Sequence, residues 1–102
     1  MPRTLSCSLV RVPEDRRPEW LAVVARLAAL LEGRRQHLWV FKSERDPELW
    51  LEFSEAGERA AHRAVAPRST EEMALEARLR QLARYEPDPS VLWTEVPLPK
   101  DT

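Results

Sequence analysis

Hydrophobic and polar positions change their period along this chain, and these changes separate the predicted strands from the predicted helices. Over Thr4–Val12 apolar residues mostly alternate with small or polar ones, which predicts a strand that Pro13 ends. Over Trp20–Leu31 the apolar residues instead recur at helical spacing, which predicts an amphipathic helix. Gly33 follows this run and is the expected end of that helix.

A β-hairpin is predicted after the helix. Residues 37–43 and 49–54 have the composition of strands, and the polar residues between them form a turn. If residues 44–47 are the loop, Val40 lies opposite Leu51, and hydrophobic matching supports this register. One face then carries Leu38, Val40, Leu49, Leu51 and Phe53. The other face carries His37, Trp39, Phe41, Trp50, Glu52 and Ser54.

The second half of the chain predicts two helical segments and a last strand. Glu55–Val65 has the pattern of a short helix. Ser69 and Glu72 then form a capping box, which predicts a longer helix that runs to about Arg84. The fourth strand is predicted over Val91–Val96 and leads into a proline-rich tail.

This order of elements, βαββαβ, predicts an α+β fold of the ferredoxin-like type. Residues 1–102 make one domain, with a four-stranded antiparallel sheet and both helices on one face. The other face would expose Trp39, Phe41, Trp50 and part of the segment 91–93. Because soluble monomers rarely expose such an aromatic patch, we predict a homodimer packed sheet against sheet.

Charge and composition narrow the function classes. The 16 basic residues balance 17 acidic ones, whereas nucleic-acid binders carry a basic excess, so we expect no nucleic-acid partner. Cys7 is the single cysteine, so an internal disulfide is excluded. We expect a cytoplasmic protein without a membrane partner, since Met1–Arg17 lacks an apolar signal region and Trp20–Leu31 is too short to cross a bilayer.

The sequence resembles the dimeric α+β barrel group, a ferredoxin-like fold that includes antibiotic-biosynthesis-monooxygenase-like proteins. The likeness covers most of the chain. It rests on the element order, on the strand 37–43, on the junction 49–55 (LWLEFSE) and on the segment 58–62 (ERAAH). The resemblance implies a homodimer, and its members include quinone-forming monooxygenases that need no cofactor, haem-degrading enzymes and small isomerases.

The resemblance also directs attention to a pocket between the sheet and the helices. Several of the related oxygenases place an asparagine there beside a tryptophan and a histidine. This chain has Trp50 and His62 but no asparagine at all. That departure argues against haem degradation and weakens the analogy with the monooxygenases.

Two side chains are candidates for catalysis. The His62 imidazole could act as a general base near neutral pH, with Glu58 one helical turn earlier to orient it. Tyr85 could donate its hydroxyl group into a pocket. Each has a structural alternative, namely an exposed helix pair for His62 and a loop cap for Tyr85.

Aromatic residues are the candidates for substrate binding. Trp39, Trp50 and Trp93 could stack on a flat aromatic molecule, although the same residue type is typical of a dimer core. His37 shares a strand face with Trp39 and could line the same pocket, or it could bond to Ser54. No close ligand spacing links the histidines with the cysteine, so we expect neither a metal site nor a bound cofactor.

Two functions of different class follow from these features. In the first, the chain binds or transforms a small hydrophobic or aromatic molecule in a monooxygenase-like pocket, as a cofactor-independent monooxygenase or isomerase. In the second, it is a non-catalytic dimerisation or interaction module whose aromatic residues form only the interface. A pocket lined by convergent polar groups would favour the first function, and a filled core would favour the second.

Overall fold

The computed structural model describes residues 2–99. In chain order its strands and helices are β1 (Thr4–Arg11), α1 (Arg17–Glu32), β2 (His37–Lys42), β3 (Leu49–Ala56), α2 (Thr70–Leu82), β4 (Arg84–Glu86) and β5 (Trp93–Thr94). Short 3₁₀ turns lie at Glu14–Arg16 and Arg59–Ala61. Within residues 2–99 no helix is both long enough and apolar enough to cross a membrane.

The antiparallel sheet is built around β1. This strand pairs with β3 along its whole length, from Thr4 opposite Ala56 to Arg11 opposite Leu49. β2 lies outside β3, while β4 and β5 both pair with the other edge of β1. Side chains of α1 and α2 pack together with the sheet in one hydrophobic core. The predicted α+β, ferredoxin-like arrangement is therefore confirmed.

The helix boundaries follow the capping signals of the sequence. α1 begins with Pro18 in its first turn and ends directly before Gly33, as predicted. The Ser69 hydroxyl accepts the backbone N–H of Glu72 over 3.1 Å at the start of α2, which confirms the predicted N-cap. Both helices can be placed from sequence because their end signals are local.

The predicted short helix over residues 55–65 is wrong. β3 continues to Ala56, because Glu55 and Ala56 still pair with β1. Only the 3₁₀ turn at Arg59–Ala61 follows it. A backbone that is already bonded to a neighbouring strand cannot also form a helix, so the sheet overrides the local helical pattern.

The far edge of the sheet also differs from the prediction of one strand over residues 91–96. It consists of two short strands, with β4 beside one part of β1 and β5 beside the other. Pro87 and Pro89 lie between them, and proline has no N–H group to donate to a ladder. The Ser8 hydroxyl donates to the Pro87 carbonyl over 2.7 Å, so β1 still holds the connecting loop.

The β2–β3 hairpin pairs one residue away from the predicted register. Val40 lies opposite Glu52 and not opposite Leu51. The Ser43 N–H donates to the Leu49 carbonyl over 2.9 Å, and the Ser43 hydroxyl accepts two N–H groups of the loop, each over 3.1 Å. The turn is satisfied by its own hydrogen bonds, and it therefore fixes a register that hydrophobic matching alone did not indicate.

This shift exchanges the two faces of β3. Trp50, Glu52 and Ser54 face the helices and are buried, although the prediction placed them on the uncovered side. Leu51 and Phe53 were expected under the helices and lie on the other side. Trp50 is therefore a core residue and does not belong to the predicted aromatic patch.

We call the side of the sheet away from the helices the outer face. Its apolar side chains are Leu5, Cys7, Leu9, Trp39, Phe41, Leu49, Leu51, Phe53 and Trp93. Trp39, Phe41 and Trp93 keep 46%, 56% and 59% of their surface exposed. An uncovered face with aromatic residues is thus present as predicted, with Trp39 and Trp93 on it.

Candidate functional site

A polar group of side chains lies between the sheet and α2, beside the hydrophobic core. Arg63 lies between the carboxylates of Glu52 and Glu76, with N–O distances of 3.0 Å to each. Its Nε donates to the Ser54 hydroxyl over 3.1 Å. The Tyr85 hydroxyl donates to the other carboxylate oxygen of Glu52 over 2.9 Å. We call these five residues the buried ionic cluster.

Two residues outside the cluster hold it in place. Nε1 of Trp20, in α1, donates to the hydroxyl oxygen of Tyr85 over 3.2 Å. Arg68 donates from its Nε to the Arg63 carbonyl over 2.8 Å, and its Nη1 lies 3.1 Å from Glu76 Oε1 as an ion pair. α1, β4 and the loop before α2 therefore all meet at this point.

Burial changes the proton affinity of two cluster members. It raises the pKa of the Glu52 carboxyl, against the opposing effect of the Arg63 guanidinium. It also raises the pKa of the Tyr85 hydroxyl strongly, and the neighbouring Glu52 acts in the same direction. Tyr85 therefore keeps its proton and acts as a hydrogen-bond donor to the carboxylate.

The cluster leaves no room for an organic substrate. The cavity beside Glu52 and Tyr85 has a volume of about 10 Å³, and so has the neighbouring cavity beside Arg68 and Ser90. A space of that size holds about one water molecule. The space around the buried ionic cluster is therefore too small for an organic substrate.

His62 is fully buried, and backbone groups occupy both of its ring nitrogens. Its Nε2 lies 3.1 Å from the Ser54 carbonyl oxygen, and its Nδ1 accepts the N–H of Ala64 over 3.1 Å. The carbonyl requires the proton on Nε2, so the ring is neutral in this arrangement. Burial lowers the pKa of His62, the bond to Ser54 opposes this, and the charges of Arg63 and Arg68 add to the lowering.

A second candidate site lies on the outer face. Cross-strand pairing places Glu55 opposite Leu5 on one side and opposite His37 on the other, and Trp93 lies beyond Leu5. At this end of the sheet there is a groove of about 300 Å³. Its lining residues are Arg3, Leu5, Trp39, Glu55, Trp93, Thr94 and Glu95. We call it the Trp39–Trp93 groove.

His37 borders this groove through Trp39. The two rings are stacked, with centroids 5.4 Å apart and planes 6° from parallel. His37 Nε2 also lies 3.8 Å from the Glu55 carboxylate. The imidazole therefore supports one wall of the groove.

The structure divides the six predicted site residues into two groups. His62, Tyr85 and Trp50 lie on the helix side of the sheet, where Trp50 packs on Trp20 with ring centroids 5.1 Å apart. Trp39, Trp93 and His37 lie on the outer face. The two predicted catalytic residues thus share a side of the sheet with Trp50, while the other three predicted binding residues lie on the opposite side.

The sequence interpretation missed Arg63 and Glu55. The loop that carries Arg63 was predicted to be helical, so its side chain had no assigned direction. Glu55 was placed in the same helix, although the alternation of residues 49–56 was a signal that the strand continued. Within residues 2–99 no group of three or more His, Cys, Asp or Glu side chains could hold a metal ion.

Replacing Arg63 by methionine tests the cluster. We expect Arg63→Met to lower the free energy of unfolding by about 3–5 kcal/mol near pH 7, because two buried carboxylates lose their cation. Arg26→Met is the matched control, because it breaks an exposed pair with Glu71 that contributes at most about 1 kcal/mol. Urea unfolding measures both changes. Equal losses would contradict the assigned role of Arg63.

The buried imidazole predicts a pH dependence of stability. The folded protein resists protonation of His62 because its pKa is lowered there. In the unfolded chain the imidazole binds a proton once the pH falls below its ordinary pKa of 6.5. The free energy of unfolding should therefore fall as the pH is lowered from 7.5 to 5.5, by up to about 1.4 kcal/mol per pH unit.

His62→Gln should flatten this slope, because an amide can form the same two bonds without titrating. His37→Gln is the matched control, because it removes the exposed imidazole instead. Unfolding curves across this pH range provide the measurement. An unchanged slope in His62→Gln would show that another group causes the loss.

Solved structures share this fold. A conserved protein of unknown function from Bacteroides thetaiotaomicron, provisionally described as an oxidoreductase, has a TM-score of 0.72 and 14% identity, over 91% of this chain and 95% of its own. A protein of Bordetella bronchiseptica, provisionally named an antibiotic biosynthesis monooxygenase, has a TM-score of 0.67 and 14% identity, over 96% and 99%. A similarly named protein of Chloroflexus aurantiacus has a TM-score of 0.66 and 16% identity, over 100% and 98%.

No family model matches the sequence, and neither does any curated protein. At identities of this level, structural likeness establishes the fold and leaves activity open. The chain therefore has the ferredoxin-like α+β fold of the antibiotic-biosynthesis-monooxygenase-like proteins, in agreement with the resemblance seen in its sequence.

Proposed function

We propose that this chain forms a homodimer through its outer face and binds a small, flat hydrophobic molecule in the Trp39–Trp93 groove. The observation that carries the proposal is the combination of open space with exposed aromatic side chains. The groove offers about 300 Å³, within the range of small-molecule sites, and it is lined by Trp39 and Trp93, which are 46% and 59% exposed. The cavity at the buried ionic cluster offers only about 10 Å³.

The dimer is supported by the middle of the outer face. Pairing across the strands places Phe41 beside Leu51, which in turn lies beside Leu9. Phe41 and Leu9 are 56% and 49% exposed. Such a continuous apolar surface is unfavourable in water, and a second copy of the same face would bury it.

The groove lies at the end of this face, next to the middle rows. Trp93 belongs to β5 and Trp39 to the edge strand β2, so two indole rings flank an apolar floor formed by Leu5. Rings in this position suit a flat molecule, because stacked aromatic groups gain contact area without ordering a flexible chain.

A second function is favoured by one observation. The buried ionic cluster and His62 have no free space for a substrate, as expected of a non-catalytic dimerisation module. In that case the outer face would still pack against the outer face of a second copy, and the groove would bind no ligand.

A charge in the middle of the outer face tests the dimer. We expect the unchanged chain to sediment as a dimer at micromolar concentration and Phe41→Glu to sediment as a monomer, because a carboxylate would be buried without a partner. Met73→Glu is the matched control, since Met73 is 51% exposed on α2. A monomeric mass for the unchanged chain would refute the dimer.

The four tryptophans allow a direct test of ligand position. On titration with flat bicyclic probes, namely quinoline and N-methylquinolinium, we expect the NMR signals of the indole N–H groups of Trp39 and Trp93 to shift. Those of Trp20 and Trp50, in the core, should stay in place. Trp93→Ala should weaken binding while the protein remains a dimer.

The same titration tests the hypothesis that His62 and Tyr85 are catalytic. A ligand that opens the cleft would shift the signals of Trp20 and Trp50, because Trp20 bonds to Tyr85. If no probe shifts any of the four signals, the dimerisation module becomes the better explanation.

A further inference from the structure

We propose that the Trp39–Trp93 groove selects an organic cation, with the Glu55 carboxylate as its counter-charge. This inference rests on the proposed binding function and adds the chemical class of the ligand. A flat, permanently charged or protonated heteroaromatic amine has that chemistry. Three observations support the proposal: the position of Glu55, the pairing of the other charges, and the aromatic walls.

Glu55 is held in the floor of the groove. It lies in β3 between its pairing partners His37 and Leu5, and its side chain is only 12% exposed. Among residues 2–99 no side chain or backbone group donates a hydrogen bond to its carboxylate. Its nearest charged neighbour is His37 Nε2 at 3.8 Å, a contact that becomes an ion pair only when the imidazole is protonated. The carboxylate is thus available to a ligand.

The other charges of the groove neutralise each other. Arg3 donates from Nε and Nη2 to the two carboxylate oxygens of Glu95, over 3.2 and 2.9 Å. The Arg3 backbone N–H donates to the same carboxylate over 3.1 Å. Because this pair is bidentate, the hydrogen bonds of Arg3 are directed toward Glu95. The Arg3 guanidinium acts on Glu55 only through space, so among the described residues the Glu55 carboxylate accepts no hydrogen bond from a cation.

The walls add a second preference for a cation. The face of an indole ring carries negative potential and attracts a cation. Trp39 is fixed by its stacking on His37, and Trp93 lines the opposite side. Both indole rings line the groove together with Glu55, so a cation bound there would lie beside aromatic rings and near the carboxylate.

Other ligand charges fit less well. A neutral aromatic molecule would cover the partly buried Glu55 carboxylate without supplying a donor, and leaving a polar group unpaired is costly. An anion would meet Glu55 directly and be repelled. The groove therefore discriminates by charge among molecules of the same shape.

Three bicyclic probes of similar size test this selection: N-methylquinolinium, quinoline and naphthalene-1-sulfonate, which are positive, neutral and negative. Dissociation constants come from calorimetry, and the indole N–H signals locate the site. We expect N-methylquinolinium to bind about tenfold more tightly than quinoline. Naphthalene-1-sulfonate should bind more weakly than both.

The carboxylate is tested by Glu55→Gln, which keeps the shape of the side chain and removes its charge. We expect this variant to lose most of the preference for N-methylquinolinium over quinoline and to keep only the smaller part that the indole rings supply. Glu86→Gln is the matched control, because Glu86 lies at the other end of the outer face, opposite Leu9. It should keep the full preference for the cation. Unchanged indole signals of Trp20 and Trp50 would show that both variants are folded.

The outcomes separate this inference from the proposed function. If both quinoline probes shift Trp39 and Trp93 with equal affinity, the groove binds ligands but the selection for a cation is refuted. If Glu55→Gln keeps the preference, the role of Glu55 is refuted. If neither probe shifts these two signals, the proposed function itself fails, and the inference fails with it.

Discussion

The guanidinium of Arg63 is the group on which the packing of this fold depends. It joins Glu52 in the sheet to Glu76 in the second helix and also donates to Ser54. Each buried carboxylate would cost several kcal/mol without an adjacent cation. The Tyr85 hydroxyl group, from β4, bonds to the same Glu52. Arg63, which lies in an irregular loop, therefore links the sheet to α2 and, through Glu52, to Tyr85. The domain thus combines an aliphatic and aromatic core with a buried group of paired charges.

This polar interior determines the other side of the sheet. Side chains of a strand alternate between faces, so when Glu52 and Ser54 point to the helices, Leu51 and Phe53 must point away. The result is an outer face richer in large apolar groups than the helix-covered face of β3. The uncovered apolar side chains of β3 are therefore the direct counterpart of its buried polar ones.

The same arrangement differs from the catalytic pocket that the family resemblance implies. The structural neighbours carry provisional names of oxidoreductases and monooxygenases, and the resemblance directed attention to a pocket between sheet and helices. Here the buried ionic cluster contains paired charges and about 10 Å³ of space, while a groove of about 300 Å³ lies on the outer face. Function depends on the site rather than on the fold, so the likeness of fold assigns no chemistry to this chain.

The sequence by itself determined the features with local causes. These are the first helix between Pro18 and Gly33, the Ser69 cap, the α+β order and the presence of an exposed aromatic surface. Tertiary structure alone decided the β2–β3 register, the burial of Trp50 and the positions of Arg63 and Glu55. Register depends on how a loop closes and on which distant charges can be paired, and a shift by one residue moves every side chain to the other face. Periodicity shows that a strand has two faces, but the contacts of the folded chain decide which of them is buried.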